Sequence, residues 1–98
     1  MPFVQLIEFQ TERVDEFDAA LDEWLRGSEG WRTPSRGLRT KDRDQPNTYV
    51  QIIEFPSYEK AMENSARPET AALAERLAAL SLGPPTFRNL DVVREEPL

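Results

Sequence analysis

A hexapeptide that occurs twice constrains the fold of this chain more than any other feature. Residues 4–9 read VQLIEF and residues 50–55 read VQIIEF. Each copy is followed by a hydroxyl residue, Thr11 or Ser57, and then by a charged, amphipathic stretch. A short apolar run of this kind, bounded by polar residues, is typical of a β-strand that leads into a helix. The repeat therefore predicts two β-α units within 98 residues.

The stretch after the first copy predicts a helix that ends at Gly27, because glycine is common just past a helix end. Thr11 is expected to cap the start of this helix, with acidic residues near its positive end. An apolar stripe at helical spacing runs along it. The residues of the stripe are Val14, Phe17, Leu21, Trp24 and Leu25.

The rest of the chain predicts a further strand and then a second strand–helix–strand unit. An edge strand is expected within residues 31–41, where proline, glycine and arginine are frequent, and a turn at residues 42–47. The second copy lies in a strand over residues 48–55; Ser57 and Pro68 then open two helical pieces, and residues 87–95 form the last strand. The order β-α-β-β-α-β predicts one α+β domain over residues 1–98, a ferredoxin-like sandwich with the repeated strands as central neighbours.

Alternation along the repeated strands sorts their side chains onto two faces that are both largely apolar. A ferredoxin-like sheet carries helices on one face only, so the second apolar face requires a cover. A second copy of the chain is the expected cover, giving a homodimer; a C-terminal segment folded back over the sheet is the alternative. The expected dimer interface consists of Val4, Leu6, Val50 and Ile52. The other face carries Phe3, Gln5, Ile7, Phe9, Tyr49, Gln51, Ile53 and Phe55.

Composition excludes several kinds of site. The chain has no histidine and no cysteine, so it lacks the usual general base near neutral pH, the commonest zinc and haem ligands, and thiolate chemistry. We therefore expect no metal and no haem, zinc or flavin cofactor. The net charge of −6 disfavours nucleic acid and anionic membranes. No apolar run approaches the roughly 20 residues of a membrane span, and no secretory signal is recognised, so a cytoplasmic protein is expected.

Three stretches carry a resemblance to a known family: FVQLIEFQT, DEWL and YVQIIEFPSYEKAMENS. With them the chain resembles the dimeric α/β-barrel superfamily, and within it the antibiotic biosynthesis monooxygenase-like group. The resemblance implies two sheets packed face to face and a ligand cavity in each subunit between sheet and helices. Haem-degrading members of the group place an asparagine, a tryptophan and a histidine where this chain has Gln5, Phe55 and about Ser65, so haem degradation is not expected.

Cofactor-independent oxygenases of the group match better, since they oxidise polycyclic phenols with polar and aromatic cavity residues alone. On that resemblance, amides of the cavity could stabilise a developing oxyanion. The alternative is that Gln5 and Gln51 only hydrogen-bond to each other across neighbouring strands. The candidate pocket residues are Gln5, Trp24, Tyr49, Gln51, Phe55, Met62 and Asn64.

Two interpretations of the function are open on the sequence alone. One is a non-catalytic dimeric module that binds a hydrophobic or aromatic small molecule or fills its cavity with its own side chains. The other is a cofactor-free monooxygenase, or a related tailoring enzyme, acting on an aromatic or polyketide-like substrate. Glu8 and Glu54 are expected to lie near each other, as a paired carboxylate site or as salt-bridge residues. The basic residues between Arg32 and Arg43 are expected to lie on a solvated edge strand or to form a rim that steers anions.

Overall fold

The computed structural model describes residues 2–98, which form four strands and three helices. The strands make one antiparallel sheet in which the two repeated hexapeptides are central neighbours. The predicted ferredoxin-like α+β sandwich is confirmed, with its second helical region divided in two. The elements are β1 (Phe3–Gln10), α1 (Val14–Gly27), β2 (Arg36–Lys41), β3 (Thr48–Phe55), α2 (Tyr58–Ser65), α3 (Pro68–Ala79) and β4 (Thr86–Asp91). Their order across the sheet is β2-β3-β1-β4.

The two shorter helices begin where the sequence predicts. Ser57 is extended, and its hydroxyl accepts a hydrogen bond from the backbone N–H of Lys60 at 3.2 Å. A serine in this place satisfies one of the N–H groups that the first turn of a helix leaves unpaired. Pro68 is in the first turn of α3, where its missing N–H leaves no hydrogen bond unmade.

The prediction that Thr11 caps α1 is wrong. The helix begins three residues later, at Val14, and no side chain caps it. Thr11 is 1% exposed; its hydroxyl accepts from the N–H of Arg13 at 3.0 Å and donates to the carbonyl of Leu80 at 2.6 Å. Leu80 follows the last residue of α3, where carbonyls lack helical partners. Thr11 therefore ties the end of α3 to the connection between β1 and α1.

Both edge strands are shorter than predicted, for local reasons. The N–H groups of Trp31 and Arg32 bond back to the carbonyl of Ser28, which makes a turn of that segment and delays β2 until Arg36. At the other edge, the N–H of Val92 still bonds to the carbonyl of Pro2 at 3.0 Å. Proline has no N–H to donate in return, so the ladder between β1 and β4 ends there.

Aromatic contacts place the helices on the odd-numbered face of the sheet. Phe9 stacks on Phe17 of α1 with ring centroids 4.3 Å apart. At the other end of β1, Phe3 meets the ring edge of Tyr58 of α2 at 5.5 Å and packs in a buried cluster with Phe55. This odd-numbered face is called the helix face below.

Helix α1 also packs against α3, so all three helices form one layer. Arg76 of α3 donates to Glu23 of α1 at 2.8 Å, and this hydrogen bond lowers the pKa of Glu23. Within residues 2–98, the helices are all too short or too polar to cross a lipid bilayer. The even-numbered face of the sheet, called the open face below, carries the four residues of the expected dimer interface together with Leu38 and Leu90.

Replacement of Thr11 by valine tests the tie between α3 and β1. Valine keeps the shape but leaves the Leu80 carbonyl and the Arg13 N–H unpaired, so we expect the free energy of unfolding to fall by about 2 kcal/mol. Thr40→Val is the matched control, because the Thr40 hydroxyl also bonds to a carbonyl but the residue is exposed. Urea denaturation followed by circular dichroism measures both; an equal, small loss in the two variants would contradict the role of Thr11.

Candidate functional site

The centre of the helix face brings polar and apolar side chains together in two cross-strand rows. The register places Ile7 opposite Gln51 and Gln5 opposite Ile53, and it extends each row to both edge strands. These eight positions are called the central rows below. They are Arg39, Gln51, Ile7 and Phe87 in one row and Gly37, Ile53, Gln5 and Asn89 in the other.

Burial differs between the centre and the ends of the helix face. Phe3, Phe55 and Phe9, which lie in the end rows, are only 2–4% exposed. The residues of the central rows on β1 and β3 are half-buried, although these are the two inner strands. Phe87 of β4 is 52% exposed. The helix layer therefore covers the two ends of the sheet more fully than the central rows. This less covered region, which is exposed at Gly37 of β2 and at Phe87 of β4, is called the cleft below.

Arg39 forms the best-defined polar contacts of this cleft. Its Nε donates to Oε1 of Gln51 at 2.7 Å, and its Nη1 donates to the carboxylate of Asp18 at 2.7 Å. Its guanidinium carbon lies 5.0 Å from the ring centre of Phe17 and 5.4 Å from that of Phe9. With its side chain 22% exposed, Arg39 joins β2, β3 and α1 in one network.

The orientation of the Gln51 amide follows from this contact. A guanidinium can only donate hydrogen bonds, so Gln51 must turn its oxygen towards Arg39 and its NH₂ group away. This Nε2 lies above Gly37: a Cβ at Gly37 would meet it at 3.6 Å and would meet no other atom within 4 Å. Among residues 2–98, the buried side-chain nitrogen and oxygen atoms without a hydrogen-bond partner are Trp24 Nε1 and Thr70 Oγ1. Gln51 Nε2 is not one of these buried atoms. Gln51 thus presents an accessible donor group beside the exposed Gly37.

Gln5 and Gln51 do not hydrogen-bond to each other, so that alternative is wrong. In the antiparallel register they are offset by two residues, since Gln5 faces Ile53. Gln5 donates instead to Asn89 of β4 at 3.1 Å. The two glutamines therefore belong to separate polar pairs on opposite sides of the cleft.

The other candidate residues occupy different surroundings. Tyr49 stacks on Phe9 at 5.5 Å, and Phe55 is buried at the sealed end of the sheet. Trp24 is half-buried and meets the ring of Trp31 edge-on at 6.0 Å, while Met62 is 37% exposed. Asn64 is buried, and its side-chain oxygen accepts from the N–H of Thr33 at 3.4 Å, which attaches the loop before β2 to α2.

The prediction that Glu8 and Glu54 lie near each other is wrong. Antiparallel pairing places Glu54 opposite Val4 and Glu8 opposite Val50, four residues away along the strand, or roughly 13 Å. Glu54 instead lies 4.0 Å from Arg36 of β2 on the open face. A paired carboxylate site is therefore excluded. Among residues 2–98, no cluster of three or more acidic residues could hold a metal ion either.

Two shallow depressions lie outside the central rows, with volumes of about 430 and 440 Å³. The first lies between the turn at Trp31 and α2, and Arg67 covers the Trp31 ring at 4.6 Å. The second lies between α1 and the end of α3, where a hydrogen bond from Arg13 lowers the pKa of Glu16. Neither depression is lined by any of the candidate pocket residues.

Sequence reasoning missed Arg39, Asp18 and Gly37. Composition alone groups Arg39 with the solvated basic residues of an edge strand, because its place on the helix face depends on the register between β2 and β3. The odd-numbered parity of Gly37, Arg39 and Lys41 is a signal that could have found this face. The contact with Asp18 could not be derived in that way, because it depends on how α1 crosses the sheet.

No protein-family model matches this chain, and no curated protein matches it in sequence. Similar folds occur among solved structures. SnoaB, a cofactor-independent oxygenase from Streptomyces nogalater, superposes with a TM-score of 0.81 and 18% identity over 99% of this chain and 98% of that protein.

Two further structures are provisionally described as antibiotic biosynthesis monooxygenases. The one from Caulobacter crescentus CB15 has a TM-score of 0.80 and 11% identity over 95% of this chain and 91% of its own. The one from Nitrosomonas europaea has a TM-score of 0.75 and 12% identity over 94% and 90%. At these identities the likeness establishes the fold, which is the ferredoxin-like fold of antibiotic biosynthesis monooxygenase-like proteins.

Proposed function

We propose that this chain binds a hydrophobic, planar aromatic small molecule in the cleft over the central rows. One observation carries the proposal: the ends of the helix face are sealed by aromatic side chains while its centre stays half-buried and polar. A sheet that only served as a core would be expected to fill its centre best. The open space above Gly37 is the place where a ring could lie against the sheet.

The chemistry of the cleft suits such a ligand. Its walls are aliphatic and aromatic, from Ile7, Ile53 and Phe87, and a few amide and guanidinium groups interrupt them. Small-molecule sites are commonly apolar pockets in which a few polar groups fix the orientation of the ligand. An oxygen atom on the ring system would accept a hydrogen bond from the free NH₂ of Gln51.

A second candidate function is a cofactor-independent oxygenase acting on an aromatic or polyketide-like substrate. The likeness to SnoaB favours it, as does the Gln51 donor, which could stabilise an oxyanion on the substrate. The substrate would have to ionise with little help, because the chain offers no histidine or cysteine as a base. Oxygen consumption with an anthrone separates the two functions, because the anthrone carbanion can itself reduce O₂. An oxygenase converts anthrone and O₂ to anthraquinone and water, whereas a binding module consumes no O₂ above the buffer rate.

We further propose that the chain is a homodimer joined through the open face, with the cleft of each subunit left accessible on the other side. Leu38 and Leu90 are 40% and 37% exposed there, beside the half-buried Val4, Leu6, Val50 and Ile52. These six residues form an apolar patch that crosses all four strands, with charged residues such as Glu54 and Arg88 at its border. Such a patch is unfavourable in water, and a second copy offers a face of the same shape and polarity.

Gly37→Val tests the position of the ligand. Valine favours β-strands more than glycine does, and position 37 does not have the positive φ that would strain it. We therefore expect the free energy of unfolding to rise by about 0.5–1 kcal/mol. Its side chain fills the space above β2, so the stabilisation of the parent by 2-naphthol or 2-hydroxyanthraquinone should disappear. Thermal unfolding with and without each phenol measures both effects.

Gly30→Val is the matched control, because Gly30 lies in a turn away from the cleft and a Cβ added there would meet no atom within 4 Å. It should keep the ligand response of the parent. If Gly37→Val kept that response as well, the ligand would lie elsewhere. If the parent itself showed no response to either phenol, the proposed function would be wrong.

Leu6→Lys tests the dimer. The charge lies in the middle of the proposed interface, so the parent should sediment at twice the chain mass of 11.3 kDa and the variant at the chain mass itself. Leu82→Lys is the control, since Leu82 is 55% exposed and outside the sheet. Sedimentation equilibrium at micromolar concentration distinguishes the two masses; a parent that sediments as a monomer would contradict the proposal.

A further inference from the structure

We infer that Asp18 and Arg39 hold the Gln51 amide in one orientation so that the cleft selects the anionic form of its aromatic ligand, a phenolate over a phenol. This inference rests on the proposed function, because it concerns the same cleft. It adds two positioning residues, Asp18 and Arg39, that need not touch the ligand. It also adds a chemical preference that a merely apolar pocket would not have.

Contacts with α1 and β1 restrict the position of the Arg39 side chain. Its Nη1 is held by Asp18 at 2.7 Å, and its guanidinium lies against the rings of Phe17 and Phe9. Contact of a cation with aromatic rings and a charge-assisted hydrogen bond both favour this position. The Nε–H is thereby directed at Gln51 from a fixed point.

The NH₂ group of Gln51 is the part of this amide that can reach a ligand in the cleft. A glutamine without such a partner can exchange its oxygen and nitrogen by rotation and can accept or donate equally well. With Oε1 occupied by a cation, Gln51 offers only N–H donors to the cleft. A charged partner on the oxygen also polarises the amide, and hydrogen bonds in a chain strengthen one another. Such a donor favours an oxyanion over a hydroxyl, because the anion is the stronger acceptor.

The charged residues around the cleft are unevenly distributed. On the helix face of the sheet, the charged residues are Arg39 and Lys41 on β2 and Asp91 on β4. Tyr49 is the titratable residue of β3 there, and Asp18 of α1 is paired with Arg39. Lys41 lies 6.0 Å from the Tyr49 ring, and Asp91 is opposite Phe3 in an end row. Arg39, Lys41 and the carboxylate of Asp18 thus leave one net positive charge on the side of Gln51, and the carboxylate of Asp91 lies at the far edge.

The test follows the ionisation of a bound probe. The phenol and phenolate forms of 2-hydroxyanthraquinone absorb at different wavelengths, so a pH titration of the complex gives the pKa of the bound probe. We expect it to lie about one unit below that of the free probe, which corresponds to a tenfold preference for the phenolate. Binding should accordingly tighten as the pH rises towards the pKa of the free probe.

Three variants separate positioning from direct attraction by a cation. Arg39→Met leaves Gln51 in place but free to rotate, so the shift should disappear while the probe still binds. Gln51→Met removes the donor but keeps the charge of Arg39, so the pKa of the bound probe should return to the free value, whereas direct attraction by Arg39 would leave it lowered. Asp18→Asn still accepts a hydrogen bond from Arg39, so the lowered pKa should persist.

Three results would overturn the inference. If the parent bound the probe with an unchanged pKa, the cleft would be a ligand site without this selection, and the proposed function would stand alone. If Gln51→Met kept the lowered pKa, Arg39 would be acting directly and not through Gln51. If the parent failed to bind the probe, the inference and the proposed function would fall together. Circular dichroism of each variant checks that the fold is retained; if Arg39→Met is unfolded, Gln51→Met decides the question.

Discussion

The antiparallel register between β1 and β3 determines where every other feature of this molecule lies. Phe3 faces Phe55 at one end of the pair, and Phe9 faces Tyr49 at the other. Because the two strands run in opposite directions, a repeated sequence places aromatic residues at both ends and glutamines towards the middle. The helices α1 and α2 then pack on the aromatic ends, where the buried area is greatest. The polar centre is what remains between them.

Much of this arrangement could be predicted from the repeated hexapeptide, because side-chain parity in a strand depends on sequence alone. The repeat indicates the central pairing and the two faces, including the side of the sheet on which Gln5 and Gln51 lie. It could not indicate partners across strands, because these depend on register and direction. Glu8 and Glu54 are expected together from the repeat but lie at opposite ends, and Gln5 bonds to Asn89 and not to Gln51.

Arg39 shows more clearly than any other residue what could not be predicted from the sequence. A charged side chain on an edge strand ordinarily extends into water, and the composition of the segment offers no reason to expect anything else. Its burial depends on two contacts distant in sequence, the carboxylate of Asp18 and the ring of Phe17, which only the packed helix α1 provides. Gly37 acquires its meaning in the same way, since Arg39 binds the oxygen of Gln51 and thereby places its Nε2 beside Gly37.

The two faces of the sheet therefore follow from one pattern: the open face is the proposed interface with a second copy, and the cleft on the helix face is the proposed ligand site. The central proposal is that the NH₂ group of Gln51 contacts a ligand in the cleft. Side-chain amide resonances in ¹⁵N-correlated NMR spectra test it most directly, since each glutamine gives its own signals. On addition of 2-hydroxyanthraquinone, the signals of Gln51 should shift strongly and those of Gln45, in the exposed turn before β3, should not. Unchanged Gln51 signals in the presence of bound probe would contradict the account.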